Sequence, residues 1–198
     1  MSGLMITSGL EMKSSLLIGI TGKARSGKDT FAEMLERELD EALGVLSLTS
    51  VASFADPIKD MLYGGLDLED KDPEAEEVYG KSYRYLAQAL GTEWGREMID
   101  PDIWVRAFHA QYKDDTNPII LTDVRFENEA RFIRDRVGVI VHMERPDQEI
   151  IAESGHKSEA GLKRFFDARD FIISNHAGLE ELSAEAKALA AEILPFLK

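Results

Sequence analysis

The sequence predicts an α/β fold, a mostly parallel sheet covered by helices on both faces. Three observations predict it: short apolar runs of strand length, helical stripes of apolar residues between them, and a glycine-rich turn joining the first run to the first stripe. Strands that alternate with helices pair in parallel through crossovers, and the helices then bury both faces of the sheet.

Residues 1–15 show no period and are rich in Ser, Gly and Met, so they read as a loose tail before a single domain over 16–198. The run Leu16 to Thr21 (LLIGIT) is apolar nearly throughout, as a strand buried on both faces requires, and Gly22 bounds it. From Asp29 onward Phe31, Met34, Leu35, Leu39, Ala42 and Leu43 fall on one helical stripe, which Gly44 stops. Four further strands are expected at Val45 to Ala52, Pro118 to Thr122, Val137 to Met143 and Phe171 to Ser174. Helices are expected at Ala130 to Arg136 and in the closing segment, where Leu182, Ala186, Leu189, Ile193 and Leu197 recur. The long gap at about 53–117 holds two or three helices and forms a helical insertion at the edge of the core. Within it, Asp67 to Glu77 carries seven acids and one base, which reads as a solvated loop because like charges stay in water.

Composition narrows the function. The 198 residues include 23 Lys and Arg against 37 Asp and Glu, a formal net charge of −14. Such a surface repels nucleic-acid backbones, so tight sequence-independent nucleic-acid binding is not expected, while one small anion in a locally basic cleft is compatible with it. With no cysteine there is no disulfide, thiolate nucleophile or Cys-ligated zinc. The histidines (His109, His142, His156, His176) lack metal-ligand spacing. No apolar run approaches the ~18 residues of a membrane span, and the N-terminus lacks a secretory pattern. The expectation is a cytoplasmic protein without a membrane partner.

The strongest chemical signal is Gly22-Lys23-Ala24-Arg25-Ser26-Gly27-Lys28-Asp29-Thr30, which fits GxxxxGK directly after a strand and at the opening of a helix. Phosphate binding needs this layout: the glycines let backbone N–H groups turn onto a β-phosphate, and the helix N-terminus adds its positive end. Lys28 supplies a mobile charge able to bridge β- and γ-phosphates. Asp29 stands where Ser or Thr would ligate magnesium; either Asp29, through water, or Thr30 can take that place. Asp123 ends the buried run from Pro118, where a magnesium-orienting acid sits in nucleotide-binding α/β proteins, although Asp is also a common helix cap. Arg125, two residues on, can meet a phosphate bidentately.

The insertion offers groups for a second, anionic substrate: Lys59, Arg84 and Arg96 for a phosphate, Gln88 and Trp94 for a base. Trp94 equally fits a core position, and Arg96 equally fits simple neutralisation of surplus acids. Arg145-Pro146-Asp147 and His156-Lys157-Ser158-Glu159, with Gly155 and Gly161 as hinges, suit a flap over about 145–165 that would bring a cation to a transferring phosphoryl group.

Taken together, GKARSGKDT (22–30), FADPIKDML (54–62), LGTEWGR (90–96), TDVRFENEA (122–130), RPD (145–147) and HKSEAGL (156–162) resemble the phage-type deoxynucleoside monophosphate kinase family. The segment 170–182 resembles the strand and turn that hold adenine in related kinases. The likeness spans residues 16 to about 183. It implies a P-loop kinase core with a parallel five-stranded sheet, a helical monophosphate-binding insertion and a lid. ATP would bind at Gly22 to Thr30 with adenine near Asn175. The acceptor would sit against Lys59, Arg84 and Arg96, Asp123 would help order Mg2+, and Arg125 would approach the phosphates, with Arg145 in the lid. The resemblance also implies a phage or prophage origin and allows a homodimer. Rival readings are a phosphomevalonate or dephospho-coenzyme A kinase on the same core, or a nucleotide switch. The two basic clusters away from the phosphate loop favour a kinase, because a switch needs one phosphate site and a kinase two.

Overall fold

The computed structural model describes residues 16–66, 77–78, 80–145, 162 and 169–197. The chain opens with strand β1 (Leu17–Gly22), helix α1 (Lys28–Leu43) and strand β2 (Ser50–Ala52). An insertion follows: α2 (Asp56–Leu66), a short antiparallel pair of β3 (Glu77–Val78) and β4 (Lys81–Ser82), then α3 (Tyr83–Gln88). Helix α3 passes into a π-helix (Ala89–Ile99), and α4 (Ile103–Tyr112) closes the insertion. The core then resumes with β5 (Ile119–Leu121), α5 (Glu127–Arg134), β6 (Val139–Glu144), β7 (Asp170–Ser174) and α6 (Leu179–Ile193).

Five strands form one sheet in the order β2-β5-β1-β6-β7, and every pairing is parallel. Its two faces carry separate cores. On one, Ile18, Ile20, Ile120, Val139 and Val141 pack against Phe31, Leu35 and Leu39 of α1 and against Leu182, Ala186 and Leu189 of α6. On the other, Leu17, Ile119, Leu121 and Ile140 meet Ile58 and Leu62 of α2, Trp104 and Phe108 of α4, and Phe132 and Ile133 of α5. Alternate residues of β1 serve opposite faces, which explains why the run is apolar nearly throughout. Each fully buried Leu, Ile or Phe contributes about 1.5–3 kcal/mol, so these two layers carry most of the stability.

Where the elements differ from expectation, local chemistry accounts for it. The strand expected from Val45 begins only at Ser50, because Gly44 caps α1 with a left-handed φ of 70° and Ser47 turns the chain again at φ 58°. The buried Asp40 carboxylate then accepts the Thr49 N–H (2.8 Å) and pins that loop to α1. Helix α5 starts three residues before its expected place, held by Glu129. Helix α6 ends at Ile193 in a tight 3-10 turn over Leu194–Leu197, since Pro195 cannot donate to a helix. The 1–15 tail, nearly all of the acidic stretch from Asp67 to Glu77, and the flap apart from Arg145 and Leu162 lie outside the described residues. No helix among the described residues is long and apolar enough to cross a membrane.

Strand β1 lies between β5 and β6. The chain fills the β2–β5 side first and crosses to β6 and β7 afterwards, so the winding reverses at β1. In open α/β sheets a ligand crevice forms at the carboxyl ends of the strands where this reversal occurs. Gly22, Asp123, Arg145 and Asn175 all follow or end strands on that edge.

Candidate active site

The phosphate loop joins β1 to α1. The Ser26 N–H bonds the Lys23 carbonyl (3.2 Å), Arg25 takes a positive φ of 60°, and Gly27 takes φ 94° immediately before the first helical residue. This geometry aims successive amides inward at the helix N-terminus, the arrangement that binds anions. Gly27 is required twice over. Its φ is left-handed, and a Cβ there would lie 2.4 Å from the Asn175 amide nitrogen. That nitrogen donates to the Ser26 carbonyl (3.0 Å), while the Asn175 backbone N–H donates to the Glu144 carbonyl (2.7 Å). Arg145 reaches the same loop, donating to the Arg25 carbonyl at 3.3 Å. Arg145, Asn175, His176 and Gly178 thus line a hollow of ≈ 150 Å³ beside the loop.

Lys28 folds back over the turn, its ammonium donating to the carbonyls of Gly22 (3.0 Å) and Lys23 (2.7 Å). Burial pushes its pKa below the ordinary lysine value, and the Arg125 guanidinium pushes the same way; Asp29 and Asp123 oppose them. A charge held this way is weakly hydrated, and an incoming polyphosphate gains more from it than from a surface lysine. Lys23, Ala24, Arg25 and Asp29 are exposed on the rim of the loop, with Thr30 half-buried in the first turn of α1.

Asp123, just beyond β5, spans the space between core and insertion. Its two carboxylate oxygens accept the N–H groups of Phe54 (3.0 Å) and Ala55 (3.1 Å) ahead of α2. There Ser53 and Asp56 form a reciprocal cap: the Ser53 hydroxyl accepts the Ala55 N–H, and the Asp56 carboxylate accepts the Ser53 N–H at 2.7 Å. Asp123 therefore acts as a helix-end anchor while still facing the crevice.

A second cleft opens beside it. Its walls include Gln88, Gly91, Thr92 and Arg96 from the insertion, and Asp123, Arg125, Phe126 and Glu129 from the core. The cleft has a volume of ≈ 110 Å³ and is open to solvent on one side. Glu129 organises it. Fully buried, it takes the Arg125 (2.8 Å) and Phe126 (3.0 Å) N–H groups on one oxygen and the Arg96 guanidinium on the other. Arg96 also donates to the Gly91 carbonyl (3.0 Å) and lies over the Phe126 ring, 4.0 Å from its centroid. Burial raises the Glu129 pKa to about 7, with Asp123 adding to the rise, although Arg96 and the two N–H groups pull it down. The Gly91 carbonyl is shared, since the Trp104 indole N–H donates to it at 2.7 Å. Gly95 lets that indole in: a Cβ there would come within 2.6 Å of the ring.

The structure thus brings Gln88, Arg96, Asp123 and Arg125 to one cleft, whereas Lys59, Arg84 and Trp94 are not among its lining residues. Lys59 is exposed and pairs with Asp56 at 3.4 Å. Trp94 is 37% exposed, with its ring 6.5 Å from that of Trp104. Sequence reasoning overlooked Glu129, Phe126 and Trp104. One signal was available for Glu129: an acid in the first turn of a helix, three residues after its cap, reaches back to amides ahead of that helix.

Comparison with known proteins decides the family. A family model described as deoxynucleotide monophosphate kinase matches residues 74–186, more than half of the chain. The chain belongs to the deoxynucleotide monophosphate kinase family. It is 30% identical over 193 residues to a protein of Acanthamoeba polyphaga mimivirus that carries a provisional name of the same kind, covering 86% of this chain and 93% of that one. It is 25% identical over 190 residues to the deoxynucleoside-5'-monophosphate kinase of Escherichia phage T5, covering 87% of this chain and 76% of the relative. A gluconokinase structure from Sinorhizobium meliloti 1021 is similar with a TM-score of 0.45 and 15% identity, over 94% of this chain and 97% of that one.

Proposed function

We propose that this chain is a deoxynucleoside monophosphate kinase, moving the terminal phosphoryl group of ATP onto the phosphate of a deoxynucleoside monophosphate. The bond from the γ-phosphorus to the bridging oxygen breaks and ADP leaves. A new bond forms to an acceptor phosphate oxygen, giving a deoxynucleoside diphosphate. One observation carries the reading: the cleft lined by Arg96 and Arg125 opens next to the phosphate loop, so closely that Arg125 and Asp123 both act on the charge of Lys28. A direct transfer needs two phosphate sites that abut, because its catalysis is mostly positioning and charge stabilisation.

In this reading the backbone of Gly22 to Thr30 and the Lys28 ammonium hold the β- and γ-phosphates, and Asn175 and Arg145 border the adenine side. Arg96 and Arg125 hold the acceptor phosphate, and Gln88 and Phe126 face its nucleoside. Arg125, beside both sites, neutralises charge as the phosphoryl group passes. A magnesium ion fits the donors present. Among the described residues no cluster of three or more acids or histidines could cage a metal, but magnesium with ATP needs only one or two carboxylates beside phosphates and water. Asp123, whose oxygens each accept one N–H, would hold it together with Asp29 or Thr30 from the first turn of α1. Magnesium would there neutralise phosphate charge, leaving the protein to orient the two substrates. The phage relative points to work in the cytoplasm of a bacterial host, and the family allows a homodimer.

ADP release from MgATP, measured with each deoxynucleoside and ribonucleoside monophosphate and without acceptor, tests the proposal. Strong release is expected only with one or more deoxynucleoside monophosphates. Release independent of acceptor would instead establish a nucleotide hydrolase.

A further inference from the structure

The first turn of α5 grips the insertion with two consecutive side chains. Glu129 takes Arg96, as described above. Asn128 takes the other end of the same structure: its amide nitrogen donates to the Pro101 carbonyl (2.9 Å) and to the Asp102 carboxylate (2.8 Å). Both amide hydrogens are thereby used, across a separation of 26 and 27 residues. Asp102 precedes the first turn of α4, yet its side chain makes no cap bond to that helix, so its carboxylate serves the bridge to Asn128.

The bridge lies at the joint where the π-helix turns into α4. From there one chain of contacts returns to the cleft. The start of α4 sets Trp104, whose indole bonds the Gly91 carbonyl and fills the space left by Gly95. The same Gly91 carbonyl receives Arg96. Two arms thus leave neighbouring residues of α5 and meet at Arg96, one directly through Glu129 and one through Asp102, Trp104 and Gly91. The backbone that begins this helical turn also carries Arg125.

We infer that Asn128 is a positioning residue for the acceptor site, fixing the π-helix wall that carries Arg96 at the right distance from Arg125. This inference rests on the kinase reading of the cleft. An asparagine is specifically required at position 128. An aspartate of the same shape would lose both donors and set its carboxylate against that of Asp102.

The test is a swap. Asn128→Asp alone is expected to raise the KM for the acceptor about tenfold, the scale of a lost bond to a charged group, with kcat and the KM for ATP within about twofold of wild type. Adding Asp102→Asn restores one donor across the joint and should recover most of that loss, whereas Asp102→Asn alone should not mimic the pair. Hydrogen exchange supplies a readout free of activity: amides of the π-helix should exchange faster in Asn128→Asp, those of the phosphate loop unchanged, with the double variant returning toward wild type. Asn128→Ala, which adds no charge, should show the same pattern more weakly. Unchanged KM for the acceptor and unchanged π-helix exchange would overturn the inference, as would a parallel rise in both KM values without rescue by the swap. A wild-type protein that phosphorylates no deoxynucleoside monophosphate would overturn the kinase reading instead, while the exchange measurements still judge the bridge.

Discussion

The two halves of the site are built by opposite means. The phosphate loop is made of nine consecutive residues, Gly22 to Thr30, and its working parts are backbone amides, a left-handed glycine and the end of a helix. The cleft proposed for the acceptor is lined by residues spread from Ala55 to Glu129, drawn together by Glu129, Asn128, Asp123 and Trp104 across the boundary between core and insertion. Burial works against charge in both, lowering the pKa of Lys28 and raising that of Glu129. The consequences differ. A backbone cradle suits any polyphosphate, so the loop fixes the phosphate donor class and little else. A cleft held by a few buried polar side chains can be retuned by moving one of them, so on the proposed reading the acceptor's identity would be set there.

Substitutions in the loop should therefore abolish turnover, and those in the cleft should alter acceptor affinity. The largest effect is expected for Lys28→Ala. Among the described residues its bonds run to two carbonyls of its own loop, so the fold should survive, with Tm and circular dichroism near wild type. Its charge, in a partly desolvated site, has no substitute, and kcat should fall by about 10²–10³. A variant keeping most of its activity would remove Lys28 from the transfer step. Gly27→Ala comes next. The added methyl meets the Asn175 amide at 2.4 Å in a left-handed conformation, which should cost about 1–3 kcal/mol and raise the KM for ATP several-fold without changing that for the acceptor. An equal rise in both KM values would erase the division between the two halves.

Glu129→Gln sharpens the cleft side of the comparison through pH. The folded-state pKa of Glu129 is raised from 4.5 to about 7. Its contribution to stability is therefore full below about 4.5 and is lost as pH rises through about 7. Wild-type Tm should carry a declining component across that window, and Glu129→Gln should flatten it. Below about pH 6 the wild-type carboxyl is mostly protonated, so the two proteins should bind acceptor alike. Above about pH 7 only the wild type holds Arg96 by charge, and the variant's KM for the acceptor should rise several-fold. Curves that run parallel over the whole range would show that Glu129 does not titrate in it.

How much of this was legible in the sequence follows from the same contrast. The loop is local, so the spacing of Gly22, Gly27 and Lys28 between an apolar strand and a helical stripe revealed both the turn and its chemistry. The three central strands were legible because each is buried on both faces, and the edge strands β2 and β7, which are only partly buried, because turn residues bound their short runs. The cleft is not local. Nothing in the spacing says that Glu129 reaches Arg96 or that Trp104, rather than Trp94, closes on Gly91, because those meetings depend on how α4 and α5 pack. Within the π-helix Gly91 and Gly95 lie close against Ile58 and Trp104, contacts that local spacing also hides. The late start of the strand expected from Val45 involves one buried carboxylate, Asp40, which holds the Thr49 N–H and which an exposed-looking helical position gave no reason to suspect.

The smallest expected effects belong to Lys59 and Trp94, and they probe the comparison at its edge. Both are natural choices for a nucleotide site by residue type. In the structure, however, Lys59 lies exposed on α2 and, among the described residues, pairs with Asp56 one turn away, a surface pair worth about 1 kcal/mol or less. Trp94 is 37% exposed, its ring 6.5 Å from that of Trp104, whose indole takes the Gly91 carbonyl. Lys59→Ala and Trp94→Ala should each leave the acceptor KM within about twofold, since neither lines the cleft and surface substitutions of this kind shift stability by about 0.5 kcal/mol or less. A large rise in KM for Lys59→Ala, with Arg96→Ala silent, would move the acceptor out of the cleft and onto the outer face of α2. The acceptor site would then lie beyond the reach of Glu129 and Asn128, and the two halves of the site would no longer share Arg125.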